Sequence, residues 1–464
     1  MSRDEYYSSF KGIKRSVPSV DAPQVSFLIC DNYILNRVKG GPMKRPGSKA
    51  WSATGDCLGI GEYSKSQSSL LQPNVSYIIR HTRSGGTSTF AYYDAAGDTW
   101  TSITKGASTS FGASGITTFA QSNDLMAVFG GRPAKLVDPA TGDLERLGGP
   151  APTAAPTWGT SLTGLTGTTS GFYTFYDSTT GWESSPSPIT SSTTLTNDQL
   201  DWSALETTCA REGVDKKRLY RTQLASDGEG PYYRVAEIAL ATTTYADTIT
   251  DDNLGAQGPD VGDHDPPPST SYLGIEYENR IWVASGSELW YSKAYDGNNY
   301  QLEYFSLDRV FRFPARIMGL AYSADFGRIL VFCPPGFGIH YITGRTESQF
   351  EQGLFKKAEG THYPSSVSIH EESCAYWGTN GPSIINPSGA VKTFGDDIKE
   401  NIRDIATAEY DGAIYVFSLW QPVMSSFLWF VSATDSTTAS WENVLLQTDV
   451  AWENVSDGSV VEWT

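Results

Sequence analysis

The chain has 464 residues and a formal net charge of −18, with 12% aromatic and only 19% charged residues. This length exceeds one ordinary core, so we expect two domains, or one large β-domain with an insert. The acidic charge argues against simple wrapping of nucleic acid, which needs cations to neutralise phosphates. The charge leaves one alternative open, an acidic surface past which nucleic acid moves without adhering. The many Gly, Pro and aromatic residues favour sheets over helices.

The first fifty residues have the opposite charge sign. They contain nine basic and four acidic side chains, a balance of +5, which leaves −23 for the remainder. A basic end on an acidic body indicates docking to an acidic neighbour or to another copy, and a solvated arm is the alternative. Residues 1–21 are predicted to form an N-terminal arm and residues 24–30 a buried strand. Residues 40–47 carry two turn signals around Lys44 and Arg45.

The N-terminus lacks the apolar stretch of a secretory signal, and no run approaches the roughly 18 apolar residues of a membrane helix. We therefore expect a protein made in the cytoplasm, with no signal peptide and no membrane span. The cysteines are odd in number, widely spaced and without a CxxC motif, which argues against a disulfide framework or a zinc site. We expect most of them to be small buried side chains: Cys30, Cys57, Cys209, Cys333 and Cys374.

Short β-type runs separated by Asp, Asn and Gly turns follow one another from residue 75 to residue 150. Their spacing of roughly 8–12 residues is typical of an antiparallel sandwich, barrel or propeller. The predicted strands are residues 75–80, 87–94, 116–121, 125–131 and 134–138.

Two Pro-rich linkers, at 148–158 and 258–268, bracket about a hundred residues, close to the size of one immunoglobulin-like or fibronectin-type sandwich. Between them, residues 171–177, 215–220 and 232–240 are the clearest strands. We therefore predict an inserted β-sandwich domain at 151–264.

Strand pairs resume after residue 268 and recur every 40–50 residues, each ending near a Trp or Tyr. This pattern predicts propeller blades, although periodicity alone leaves a two-sheet sandwich open. The predicted fold is all-β: a β-propeller of residues 22–150 and 265–464 that carries the insert. One short helix is predicted near 396–406, because Ile398, Ile402 and Ile405 form one apolar stripe.

No motif for catalysis, for a cofactor or for a metal is present. The five histidines lack zinc-ligand spacing, and no nucleophile elbow or phosphate loop occurs. The turn Asp94-x-x-Gly97-x-x-Trp100 resembles a sialidase Asp-box but has one residue too many and occurs once. The acidic segment 247–265 lacks a calcium-loop pattern and is predicted to be a solvated linker. The tryptophans in predicted strands are expected to be core residues, with a carbohydrate-binding surface as the alternative: Trp282, Trp290, Trp377 and Trp429.

The chain resembles the β-propeller tail proteins of short-tailed bacteriophages, the hub or nozzle that extends the tail tube. Four segments carry the resemblance: Asn36 with residues 40–47, residues 218–222 through Asp247, the pair 280–285 and 288–292, and residues 411–417. The second is similar to the fibronectin-like insert of phage structural proteins. The third is similar to a blade hairpin of the type Arg-aliphatic-Trp … Leu-Trp-Tyr-Ser.

This resemblance implies a non-enzymatic virion protein that forms a homohexameric ring. It implies contacts with portal and adaptor proteins above and with a tail fibre, spike or needle below, and a channel through which DNA passes without sequence recognition. As a hypothesis for assembly, Lys39, Lys44 and Arg45 pair with acidic side chains of a neighbouring subunit. The alternatives are a propeller-type glycan hydrolase or depolymerase and a lectin-like receptor-binding protein. No cofactor, metal ligand or catalytic residue is expected.

Overall fold

The structure, a computed structural model, describes most of the chain between residues 56 and 393. It covers residues 56–65, 75–84, 87–94, 99–104, 106, 116–140 and 142–393, and the strand segments 33–35, 42–44, 414–421, 426–433, 444–447, 454–456 and 459–461. The chain divides into two compact units, residues 53–312 and residues 313–464 with 1–52.

The described part of the chain begins with a short strand pair and two four-stranded antiparallel sheets. The pair is β1 (Tyr33–Leu35) and β2 (Pro42–Lys44). The first sheet is β3 (Asp56–Lys65), β4 (Val75–Ser84), β5 (Thr87–Asp94) and β6 (Thr99–Ile103). The second is β7 (Thr118–Ser122), β8 (Leu125–Phe129), β9 (Ala134–Leu136) and β10 (Glu145–Arg146).

Two three-stranded sheets come next and pack face to face. One joins β11 (Thr157–Thr169), β13 (Thr193–Ser203) and β16 (Tyr245–Asp247). The other joins β12 (Gly171–Tyr176), β14 (Lys216–Thr222) and β15 (Tyr232–Ala239). Both contribute to one apolar core, in which Leu165 and Trp202 of the first sheet pack with Tyr173 and Leu219 of the second. Residues 157–247 therefore form a β-sandwich.

Four-stranded sheets return after the sandwich. They are β17 (Leu273–Tyr277), β18 (Arg280–Ser285), β19 (Glu288–Ser292) and β20 (Phe305–Arg312); then β21 (Gly319–Ser323), β22 (Arg328–Phe332), β23 (Ile339–Thr343) and β24 (Glu351–Lys356); then β25 (Ser368–His370), β26 (Ser373–Gly378), β27 (Gly381–Ile385) and β28 (Val391–Thr393). A three-stranded sheet of β29 (Ile414–Gln421), β30 (Ser426–Ala433) and β31 (Val444–Gln447) follows, with the pair β32 (Asn454–Ser456) and β33 (Ser459–Val461). The described helices are 3-10 turns at Leu224–Ser226, Asp251–Asn253, Asn299–Glu303, Glu347–Gln349 and Pro364–Ser366.

The prediction of an all-β chain with propeller-type sheets is confirmed. Each four-stranded sheet is an antiparallel meander, the kind of sheet from which propeller blades are built. The sandwich strands lie inside the predicted insert, but its boundaries at 151 and 264 and its immunoglobulin- or fibronectin-like class stay predictions. The arm at 1–21, the strand at 24–30 and the helix near 396–406 lie outside the described residues.

Close packing joins β7 and β8 to the sheet that begins with β17. Ala127 and Phe129 of β8 share a core with Ile281 and Val283 of β18. Gly274 on β17 lies against the Phe129 ring so closely that an added Cβ would stand 2.2 Å from Phe129 Cε2. Of the four tryptophans expected in the core, Trp282 and Trp377 are buried and Trp290 is half-buried. The side chain of Trp429 lies outside the described residues.

Gly274→Ala should destabilise the protein by about 1–3 kcal/mol, because the new methyl group overlaps the Phe129 ring in a filled core. Chemical denaturation would measure the loss. Gly159→Ala is the matched control, since the atom nearest to its Cβ is Asp201 Cβ at 3.9 Å. Equal stability of the two variants would contradict the packing described here.

The sandwich also buries a lysine. The Lys217 side chain is fully inaccessible, and its Nζ donates to the carbonyl oxygens of Glu206, at 2.7 Å, and Thr242. Burial lowers the pKa of Lys217 to about 8 from its ordinary value of 10.5. Between these two values, the unfolded chain binds a proton that the folded chain has released.

Stability rises with pH wherever the unfolded state binds more protons. The difference in unfolding free energy between the wild type and Lys217→Met should therefore increase from pH 8 to pH 10.5. Urea unfolding at several pH values would measure it, and taking the difference cancels the tyrosines and cysteines that titrate in both proteins. A flat difference would mean that Lys217 titrates at its ordinary pKa.

Candidate functional site

Four charged side chains from four separate segments meet inside the 53–312 unit. They are Lys135 on β9, Asp177 just after β12, Arg211 in the connection between β13 and β14, and Glu303 at the end of the 3-10 turn before β20. Each is 3% exposed or less. We call this set the buried charge network; with two cations and two carboxylates its formal charge is zero.

Glu303 is the centre of the network. Its Oε1 accepts from Lys135 Nζ at 2.8 Å and from Arg211 Nη2 at 3.1 Å, and its Oε2 accepts from Arg211 Nε at 3.0 Å. The backbone N–H of Gly148 donates to the same Oε2 at 3.0 Å. A two-point contact between a guanidinium and a carboxylate is the strongest geometry available to an arginine pair.

Arg211 continues the network to Asp177. Its Nη1 donates to Asp177 Oδ2 at 2.9 Å, and its guanidinium lies 4.5 Å from the centre of the Trp182 ring. Asp177 also accepts from the backbone N–H groups of Thr179 and Thr180 and from the Thr180 hydroxyl. The Asp177 carboxylate therefore accepts hydrogen bonds both from its own turn and from the Arg211 guanidinium.

These contacts keep the two carboxylates of the network ionised near neutral pH. Burial by itself would raise the pKa of Glu303, but the charges of Lys135 and Arg211 outweigh it and keep that pKa below its ordinary value. The pKa of Asp177 is likewise lowered, because hydrogen bonds from Thr180 and Arg211 outweigh burial. A general acid or base needs a pKa near the working pH, and the pKa values of both carboxylates are displaced away from it.

A second cluster fixes the segment after β12. Glu183 accepts from the Arg218 guanidinium at 2.7 Å, from the Tyr220 hydroxyl at 2.6 Å and from the Thr174 hydroxyl at 2.6 Å. Burial and then the charge of Glu183 raise the pKa of Tyr220, so its hydroxyl stays a donor. Arg218 also bonds to Glu237 at 3.1 Å.

The backbone of Glu183 ties the sandwich to residues 264–304. Its N–H donates to the Tyr304 hydroxyl at 2.8 Å, and its carbonyl oxygen accepts from His264 Nδ1 at 3.1 Å. His264 is stacked on Tyr304 with ring centres 4.0 Å apart. Burial, followed by the charge of Lys293, lowers the pKa of His264 to about 4, so the imidazole is neutral at physiological pH.

The acidic segment that starts at Asp247 differs from its prediction. Asp247 is fully buried and accepts from Arg221 Nε at 3.0 Å, while Arg221 Nη1 donates to Asp251 at 2.9 Å. Arg221 also donates to the Ile249 carbonyl oxygen. The prediction of a solvated linker was wrong at these positions, because a guanidinium on β14 gathers the carboxylates and a carbonyl around itself.

The predicted assembly residues are not tested by the structure. Lys39 and Arg45 lie outside the described residues, and Lys44 is the last residue of β2, where the backbone alone is described. The sequence reasoning missed the buried charge network. One signal was present, a lysine between the apolar Ala134 and Leu136 in a strand whose three residues are all buried.

Other expectations concern thiols, metals and membranes. Cys333 and Cys374 are buried and Cys209 is half-buried, all three as free thiols. Nowhere in the described part of the chain do three His, Cys, Asp or Glu side chains form a group able to hold a metal ion. The described helices include none long and apolar enough to cross a membrane.

No protein-family model matches the sequence, and no curated protein matches it. Among solved structures, the chain is similar to a quinonprotein alcohol dehydrogenase-like protein of Bacteroides thetaiotaomicron, with 11% identity, a TM-score of 0.26 and coverage of 87% of this chain and 88% of that one. It is also similar to the extracellular domain of a hybrid two-component system of B. thetaiotaomicron, with 9% identity, a TM-score of 0.24 and coverage of 89% and 59%. A puromycin hydrolase mutant gives 12% identity, a TM-score of 0.21 and coverage of 82% and 59%. The chain thus spans 59% of the length of two of these proteins. At such TM-scores, the likenesses carry no argument about function.

Glu303→Gln should lower the free energy of unfolding by about 3–5 kcal/mol, because it leaves Lys135 and Arg211 buried with less than their compensating charge. Thermal and urea unfolding would measure the loss. The control is Glu288→Gln, which removes the same charge from a surface pair with Arg312, whose side chain is 70% exposed. We expect the control to change stability by no more than about 1 kcal/mol. Similar losses in the two variants would contradict the central position of Glu303.

Proposed function

We propose that this chain is a structural, non-enzymatic protein of a short bacteriophage tail. It forms a ring, the hub or nozzle, below the portal-adaptor complex, and the ring surrounds the path of DNA during ejection. Its neighbours are further copies of itself, the portal and adaptor proteins, and a fibre, spike or needle. Its place is the virion tail.

The observation that supports the non-enzymatic part is the state of three side chains of the buried charge network. Glu303, Arg211 and Asp177 bond to one another and to backbone groups, and their pKa values are displaced away from neutrality. A catalytic acid or base is displaced towards neutrality instead. Buried ion pairs that join separate segments of the chain suit a structural protein that must transmit force without changing shape.

The tail assignment rests on the four segments of resemblance and on charge. Residues 218–222 lie on β14 of the sandwich, and residues 280–285 and 288–292 form the hairpin of β18 and β19. A chain of net charge −18 can offer DNA an acidic wall that it passes without adhering. The basic N-terminal segment with Lys39, Lys44 and Arg45 is then available to pair with acidic side chains of a neighbouring subunit.

Reversal of Lys44 and Arg45 to Glu should abolish ring or tail assembly while the monomer stays folded, because it replaces attraction to an acidic neighbour with repulsion. Negative-stain imaging and mass photometry would score rings of the purified protein. Incorporation into tails, assayed with portal and adaptor proteins present, would score assembly that requires the virion.

Arg345→Glu with Lys357→Glu is the matched control, since it makes the same charge change at two exposed basic residues. We expect it to assemble like the wild type. Normal assembly of the Lys44 and Arg45 variant would remove these residues from the contact. A strict monomer that cleaves polysaccharide would replace the tail proposal with the glycan hydrolase alternative.

A further inference from the structure

His264 lies where three segments of the 53–312 unit meet. One face of its imidazole is stacked on the Tyr304 ring, with ring centres 4.0 Å apart and planes 5° from parallel. Its Nδ1 donates to the Glu183 carbonyl oxygen at 3.1 Å, and its backbone N–H donates to Ser185 Oγ at 3.1 Å. His264 thus connects the segment that leaves the sandwich to the segment after β12 and to the residue just before β20.

The charged side chains next to the imidazole are bonded to one another. Asp263 Oδ2 lies 3.7 Å from His264 Nε2. The Asp263 carboxylate accepts from Lys293 Nζ and, at 3.3 Å, from Arg309 Nη1. Lys293 Nζ also lies 5.2 Å from the centre of the Tyr304 ring. Two cations and one carboxylate sum to a formal charge of +1, so a proton on Nε2 would add charge to a site that is already positive.

Other ionisable groups of the same segments are directed elsewhere. Glu183 meets the ring through its carbonyl oxygen, while its carboxylate belongs to the second cluster described above. The Glu303 carboxylate is the centre of the buried charge network. Burial raises the pKa of Tyr304, so its hydroxyl is uncharged, and the Asp265 carboxylate points back towards Gly262. Asp263 is therefore the carboxylate placed to compensate a protonated ring, and two cations already share it.

We propose that His264 is a pH-sensitive switch, whose protonation in acid moves the imidazole off the Tyr304 ring into water. The same movement releases the segment that leaves the sandwich from Glu183 and Ser185. A proton shifts such an equilibrium towards the form that binds it more tightly. The switch is a property of the 53–312 unit and does not depend on the proposed tail function.

Two effects oppose the proton while the ring stays in place. Burial removes the water that would solvate an imidazolium, and the charges of Lys293 and Arg309 repel it. Together they lower the pKa of His264 to about 4 from its ordinary value of 6.5, although Asp263 acts in the opposite direction. In the open form the ring meets water, where an imidazole has its ordinary pKa.

The pH range of the switch follows from these two pKa values. Above pH 6.5 the ring is neutral in both forms, and pH has no effect. Between pH 6.5 and about 4, the open form binds a proton that the closed form does not, so opening becomes easier as the pH falls. Below about pH 4 both forms are protonated and the effect levels off. Because each pKa unit is a factor of ten, the opening equilibrium should shift by about a hundredfold across this range.

Hydrogen exchange tests the switch, because two amides bond across the contact. The Glu183 N–H donates to the Tyr304 hydroxyl at 2.8 Å, and the His264 N–H donates to Ser185 Oγ. In the wild type, the protection of these amides should fall by about tenfold or more between about pH 7 and about pH 4.5, after correction for the pH dependence of intrinsic exchange. Mass spectrometry of peptides that contain the two amides would measure it.

His264→Phe keeps a ring for Tyr304 but cannot take up a proton, so its protection should stay nearly constant over the same range. If that variant does not fold, His264→Gln replaces it, since its neutral amide can still donate to the Glu183 carbonyl oxygen. His370→Phe is the matched control, because it makes the same change at a side chain that is 37% exposed, and it should respond like the wild type. Wild-type protection that is equal at both pH values would overturn the proposal, and so would an equal fall in the folded His264 variant.

Discussion

Taking charges out of water is the constraint on which the 53–312 unit depends. Each buried ion costs several kcal/mol of desolvation unless a partner and hydrogen bonds compensate. The desolvation cost of the Glu303 carboxylate is offset by hydrogen bonds from Lys135, Arg211 and the Gly148 N–H, which lie far from it in the chain. No one segment can therefore bury its charge until the others are in place, and the network couples the sandwich to the sheets before and after it.

The same coupling recurs in neighbouring contacts. Glu183 joins β14 through Arg218 and Tyr220, and its backbone joins Tyr304 and His264. Arg221 gathers Asp247 and Asp251 on the other side of β14. The run from Arg218 to Arg221 is thus the point from which several loops are positioned.

The strands were accessible to sequence reasoning because their determinants are local. Alternating apolar residues and tight turns located β5, the hairpin of β7 and β8, and the hairpin of β18 and β19 to within a few residues. Two of the four tryptophans expected in the core, Trp282 and Trp377, lie on such strands and are buried. Asp247 was misjudged because an acidic, Pro-rich segment has the composition of a solvated linker, whatever guanidinium faces it in the fold.

By itself the sequence determined the all-β class, the succession of antiparallel hairpins and the charge imbalance between the N-terminal segment and the rest, since these follow from residue type and short-range periodicity. Tertiary structure alone decided which charges neutralise one another, because Lys135, Asp177, Arg211 and Glu303 are separated by up to 168 residues and no local pattern relates them. It also decided which strand edges are covered. Whether the outer side of a described strand is paired depends on where the loops of other strands run, and the hydrogen-bonding groups of the backbone leave no trace in residue type.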